Sequence, residues 1–277
     1  MGFISKLVPL SFSFILTLTS SKNIIEITDH QFSTDLQINN TDMMSNLLGA
    51  IGTRHLHALR SMAMFMHPDF NGVSTNNKGK KVNPNAGLRW KQLKRYGCWC
   101  WVNGKEDGRT LTQGLGKPVD EVDSACKRLF QCYQCAQKDF GEGSCDYVTT
   151  RYDKKQTMDL TTGEKSIVCN EDEGTCERSL CECDRQFAIE YGQYAESQDL
   201  DSFHQEGTGG FDPWDKNSCS SDGVKEEGER KCCGSFPKRF PIVVNDDRKC
   251  CEGAGKSYDP NMHECCNDEV VAWGSCP

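Results

Sequence analysis

Apolar residues recur at three- and four-residue spacing in three stretches of the chain, and each stretch predicts a helix with one buried face. From Leu48 to Met66, the positions Leu56, Leu59, Met62, Met64 and Phe65 share a face, and Pro68 with the turn-rich run from Asn71 to Gly87 ends the pattern. From Pro118 to Phe140 the stripe is Val122, Cys126, Leu129, Tyr133, Ala136 and Phe140, with Asp120 and Glu121 where acidic groups complement the positive end of a helix dipole. From Cys176 to about Ala195, Leu180, Cys183, Phe187, Tyr191 and Tyr194 line up. Between the last two stretches, Asp146 to Val168 mixes Tyr, Thr and Val around Gly163 and predicts a short β-hairpin. The fold class is α+β, with two long helices and one hairpin; the earlier helix is expected to pack its face on the same core.

Cysteine usage divides the chain. Its 277 residues contain 18 Cys, none of them between residues 22 and 97, which points to a small disulfide-rich fold in an oxidising compartment. Residues 1–21 read as a secretory leader: Lys6 is the early charge, Leu7 to Leu18 is apolar but too short to span a bilayer, and Thr19, Ser20 and Ser21 are small. Residues 22–54 read as a propeptide or flexible arm, with an N-glycosylation acceptor at Asn39. Residues 55–195 form the helical domain, 196–216 a Gly- and Asp-rich linker, and 217–277 a double-cysteine module. No transmembrane segment is expected. The formal charge is −8, or −9 once Lys6 leaves with the leader, which argues against a nucleic-acid partner.

Three motifs, in order, point to a family. Tyr96-Gly97-Cys98-Trp99-Cys100 resembles the opening of the calcium loop of secreted phospholipases A2. Pro118, Asp120, Asp123, Cys126, Cys132 and Tyr133 match that family's catalytic-helix pattern. Cys169, Cys176, Cys181, Cys183, Asp184 and Arg185 match the block that opens its second long helix. The resemblance covers residues 96–195, and for the earlier helix it offers the alternative of a lipid-contact surface. It implies two antiparallel, disulfide-linked helices with bridges Cys100–Cys126, Cys132–Cys183, Cys169–Cys181 and Cys145–Cys176. Cys98 would reach a cysteine beyond Ala195, with Cys219 a candidate, and Cys135 has no family partner. Ala125 and Glu190 stand where the family has the two halves of a further bridge, so both halves are lost together.

The same resemblance implies a histidine base that activates water against a lipid ester, and a Ca²⁺ held by backbone carbonyls and a bidentate aspartate. Leu129 and Phe130 occupy those two positions. Leucine has no proton to exchange, and a phenyl ring cannot ligate a hard cation. The catalytic set is therefore empty, and no cofactor is required. Carbonyls of Trp99, Trp101 and Asn103 remain as candidates for a weak Ca²⁺ site, although Trp101 and Asn103 replace glycines of the family loop and the stretch to Pro118 is longer. Asp184 and Tyr133, members of the family's supporting network, are retained. Without an imidazole, Asp184 must hydrogen-bond to Tyr133 or Tyr191, face water or bind something else.

Eight cysteines from Cys219 to Cys276, in the doublets Cys232-Cys233, Cys250-Cys251 and Cys265-Cys266, indicate a scaffold held by bridges. The pattern resembles the double-cysteine repeats of galaxin-type matrix proteins. A zinc reading has His263 as its nearby histidine and is outweighed by the leader. Three function classes follow. The first is a non-catalytic extracellular binding or mineral-matrix protein, like the otoconins. The second is a divergent calcium-dependent phospholipase A2 that hydrolyses sn-2 esters, with Asp184 as its candidate base. The third is a toxin-like or receptor-directed ligand. Extracellular matrix, mineral or a membrane surface are the candidate partners.

Overall fold

The computed structural model describes residues 24–27, 54–67, 74–75, 81–82, 93, 96–100, 114, 116–141, 143–194, 204, 209–213, 215, 217–219 and 228–276. The leader at 1–21, the start of the first predicted helix, Asn39, Trp101 and Asn103 lie outside them.

The described residues form a small, disulfide-rich α+β structure. Three helices, α1 (Arg54–Met66), α2 (Glu121–Phe140) and α3 (Cys176–Tyr194), fall on the three apolar stripes. Pro118 does not enter α2: the helix begins after Asp120, whose side chain caps it by accepting from the Asp123 N–H at 2.9 Å. α2 and α3 run antiparallel, because successive links pair Arg128 with Glu190 and then Cys132 with Cys183. The apolar faces of all three helices meet in one core containing Leu59, Leu129, Tyr133, Leu180, Phe187 and Tyr191. Burying side chains of this size contributes about 1.5–3 kcal/mol each.

The predicted hairpin is β4 (Lys154–Asp159) and β5 (Lys165–Cys169), two antiparallel strands with Gln156 opposite Ile167. A third strand, β1 (Ile24–Ile27), pairs antiparallel with β4, Ile24 opposite Asp159. The segment read as a propeptide or flexible arm thus contributes a strand. Ser61 of α1 donates to Gln156 of β4 at 2.9 Å, and Lys154 Nζ reaches both groups, so the helix is fastened to the hairpin by buried polar contacts as well as by packing. Gly192 allows α1 to lie close against α3: a Cβ there would sit 2.5 Å from the carbonyl oxygen of Met66. A two-residue pair, β2 (Ser74–Thr75) and β3 (Lys81–Val82), stands apart from this sheet.

The C-terminal region is three antiparallel hairpins: β6 (Glu229–Cys233) with β7 (Phe240–Val244), β8 (Lys249–Cys251) with β9 (Lys256–Tyr258), and β10 (His263–Cys266) with β11 (Glu269–Ala272). Each cysteine doublet sits in a strand, where neighbouring side chains point to opposite faces. One member of each doublet therefore bridges backward and the other forward. Cys232 bonds Cys135 of α2, Cys233 bonds Cys250, Cys251 bonds Cys265, and Cys266 bonds Cys276. With Cys98–Cys219, all 18 cysteines are bridged, which leaves no thiolate for the zinc reading. The eight C-terminal cysteines are not a closed set, since Cys219 and Cys232 anchor the module to the helical domain.

Candidate functional site: the seam between the two long helices

The bridges at the core of the site are Cys100–Cys126, Cys132–Cys183, Cys145–Cys176 and Cys169–Cys181. Cys132–Cys183 staples α2 to α3 at the level of Leu129, Tyr133 and Asp184. Leu129 is buried within the core, at 4 % exposure, in a cluster with Ala125 and Phe187. It has no titratable atom to offer. Phe130, one residue on, turns toward the loop, and its ring lies 6.0 Å from that of Trp99.

Asp184 is fully buried and accepts hydrogen bonds from the hydroxyls of Tyr133 and Tyr152. The sequence reading offered Tyr133 or Tyr191; Tyr152 is the second phenol that the fold delivers, from the segment leading into β4. Tyr133 is stacked on Tyr147 with ring centroids 4.9 Å apart. Its hydroxyl is pushed well above the usual phenol range, first by burial and then by the Asp184 carboxyl beside it. Both oxygens of Asp184 are therefore engaged by phenol donors.

The calcium-loop end is organised by Asp123. Its carboxylate accepts from the backbone N–H groups of Trp99 at 2.7 Å, Cys98 at 2.9 Å and Val119 at 3.0 Å. Gly97, at φ 60°, brings the loop so close that a Cβ there would be 2.4 Å from the Asp123 carboxyl carbon. Burial raises the carboxyl from 3.8 to about 6 against the opposing pull of these amides. The described residues do not fit a calcium site. Asp123 is committed to three amides, Phe130 supplies no oxygen, and the Lys127 ammonium stands 5.0 Å over the Trp99 ring. Burial lowers the pKa of Lys127, with the Asp123 charge opposing, and a cation at this place repels a second one.

A cleft of about 520 Å³ lies along the seam, lined by Ala125, Leu129, Phe187 and Tyr194 of the helices and by Pro237 to Phe240 of the C-terminal module. Glu190, in the lost cysteine's place, accepts from Arg128 Nε and Gln186 Nε2, both at 2.8 Å. Nearly half of the Arg128 side chain is exposed, so this ion pair is worth at most about 1 kcal/mol, against about 2–4 kcal/mol for a typical bridge. Arg239 of the module pairs with Asp139 of α2 at 2.6 Å and ties the module to the helix. An apolar floor with a polar rim and this volume suits a small-molecule site. Sequence reasoning identified Ala125 and Glu190 as a lost bridge; opposite charges at Arg128 and Glu190 were the available signal for what replaced it.

No family model matches the chain. Curated relatives do. Over 103 residues, 37 % of this chain, it is 32 % identical to the basic phospholipase A2 beta-bungarotoxin A-AL4 chain of Bungarus multicinctus and 33 % identical to the acidic phospholipase A2 beta-bungarotoxin A6 chain of the same snake. It is 31 % identical to the basic phospholipase A2 beta-bungarotoxin A1 chain of Bungarus candidus. The chain spans 61 % of the length of each of these relatives, and its homologues over that span are phospholipase A2 chains.

Proposed function

We propose that the chain is a secreted member of the phospholipase A2 family that has lost esterase activity and serves as an extracellular binding or matrix protein. One observation carries the reading: Leu129 and Phe130 are packed as apolar side chains at the two positions where the family would place its base and its carboxylate ligand. Neither function can be replaced by rotating a neighbour, because Asp184 is held by two phenols and Asp123 by three amides. The leader, the complete set of bridges and the acidic charge support an extracellular setting. The welded double-cysteine module is a feature that a matrix protein of the otoconin or galaxin kind would use.

A divergent hydrolase is the second reading. The phospholipase A2 relatives and the retained Asp184–Tyr133 contact favour it. Mixed zwitterionic and anionic liposomes, incubated with the oxidised protein in calcium of millimolar order or in chelator, separate the two. Background release of fatty acid in both conditions is the expected result. Sustained release that disappears in Asp184→Asn would replace the binding reading with a rebuilt catalytic site. A toxin-like role, suggested by the names of the relatives, would instead show as saturable binding to a cell-surface receptor.

A further inference from the structure

A second cleft, of about 680 Å³, lies between the last turns of α2 and the first hairpin of the C-terminal module. Gln134 and Lys138 line it from the helix, and Arg230, Lys231 and Arg248 from the module. Four cationic residues thus line one concavity, and no carboxylate is among the described lining residues, although Lys231, on the opposite strand face from Arg230, is paired with Glu229 at 2.9 Å. The concentration runs against the average of a chain with net charge −8. It is also built rather than incidental. Cys135, the cysteine without a family partner, bonds Cys232 and fixes β6 against α2. Arg230, two residues before Cys232 on the same strand, shares its face and turns toward the helix. Lys138 Nζ donates to the Arg230 carbonyl across the gap.

We propose that this cleft binds a sulfated polysaccharide. The α2 C-terminus contributes roughly half a negative charge through the helix dipole and Glu229 offsets Lys231, so Lys138, Arg230 and Arg248 still leave a positive surplus. Guanidinium forks match the oxygens of a sulfate ester, and sulfate keeps its charge at any physiological pH. A polysaccharide chain can enter a concavity; the headgroup plane of a bilayer cannot, and the remaining acidic surface would be repelled by anionic lipid. The described lining has no aromatic ring on which a nucleobase could stack. The inference names a partner for the extracellular-binding reading and rests on it, yet its outcome is read independently of lipid hydrolysis.

The test is retention of the full oxidised chain on immobilised heparin under a sodium chloride gradient, with anionic vesicles and duplex DNA as parallel probes. The wild type should be retained, and Arg230→Glu with Lys231→Glu should weaken heparin binding at least tenfold. Lys117→Glu with Lys256→Glu makes the same change in net charge away from the cleft and should leave the elution salt nearly unchanged. Cys135→Ser with Cys232→Ser alters no charge and should lower retention by releasing the wall of the cleft. The proposal is overturned by no retention of the wild type, by equal loss in the Lys117 and Lys256 control, or by tighter binding to vesicles or DNA than to heparin.

Discussion

Asp123 sets burial directly against hydrogen bonding, and Asp123→Asn separates the two. The wild-type carboxylate divides its donors, Trp99 on Oδ1 and both Cys98 and Val119 on Oδ2. An asparagine presents one oxygen, so its amide NH₂ must face at least one of these N–H groups, at a cost of about 1–3 kcal/mol for each stranded donor. The second effect depends on pH. In the unfolded chain the carboxyl titrates near 3.8, and in the fold burial raises it to about 6. Between those values the folded protein holds a proton that the unfolded chain has released. The stabilisation from that proton is therefore fully present below pH 3.8 and is lost as pH rises through 6. A rise of roughly two pK units corresponds to about 3 kcal/mol. Asparagine has no such proton, so the wild type should lose up to about 3 kcal/mol relative to the variant between pH 4 and pH 7. Guanidinium unfolding of the oxidised proteins at four pH values, followed by tryptophan fluorescence, measures the gap. An equal gap at pH 4 and pH 7 would mean that the three amides keep Asp123 ionised throughout, and the argument from burial would fail.

Three further outcomes follow from the site. Phe130→Asp alone should bind calcium poorly in titration calorimetry, because Lys127, one helical turn away, would pair with the new carboxylate; adding Lys127→Gln should strengthen binding, and no difference between the two would clear Lys127 of the effect. Tyr133→Phe and Tyr152→Phe should each cost about 1–3 kcal/mol in denaturant unfolding, and the double variant more than their sum, since Asp184 then loses both phenol donors. Ala125→Cys with Glu190→Cys should form a tenth bridge, detected as a mass loss of two hydrogens, and should raise the melting temperature while closing the seam cleft; a pair that stays reduced under air would show that the helices have moved too far apart.

The long helices and the hairpin were legible because burial leaves a periodic mark on the sequence, and α2 and α3 end within a residue or two of where their stripes stop. β1 left no such mark. Ile24–Ile27 is a branched run in a polar segment, and what makes it a strand is the free edge of β4, which exists only after the hairpin has folded. The apolar identity of the Leu129 and Phe130 positions could be read directly, but their surroundings could not. Tyr152 joins Asp184 from thirty-two residues away, and Lys127 reaches the Trp99 ring only because α2 packs beside the loop. Cys135 was opaque for the same reason: its partner lies 97 residues on, in a module beyond the residues that carry the resemblance.

The two departures from the family pattern meet at one place. On the proposed reading Leu129 stands at the base position and Ala125 and Glu190 at the positions of a bridge, and all three line the seam cleft together with Pro237 to Phe240. A hydrolase needs its substrate to reach the base position and leave again; on the proposed reading, the module beside the seam, fixed by Cys135–Cys232 and by the Arg239–Asp139 pair, narrows that route. With that route narrowed, a histidine at position 129 would bring little benefit, and a leucine that fills the core brings the ordinary gain of apolar burial, about 1.5–3 kcal/mol. The bridge that fixes β6 against α2 also sets one wall of the basic cleft between them, so on the proposed reading one cysteine, Cys135, bears both on access to the seam and on the surface offered to a polysaccharide.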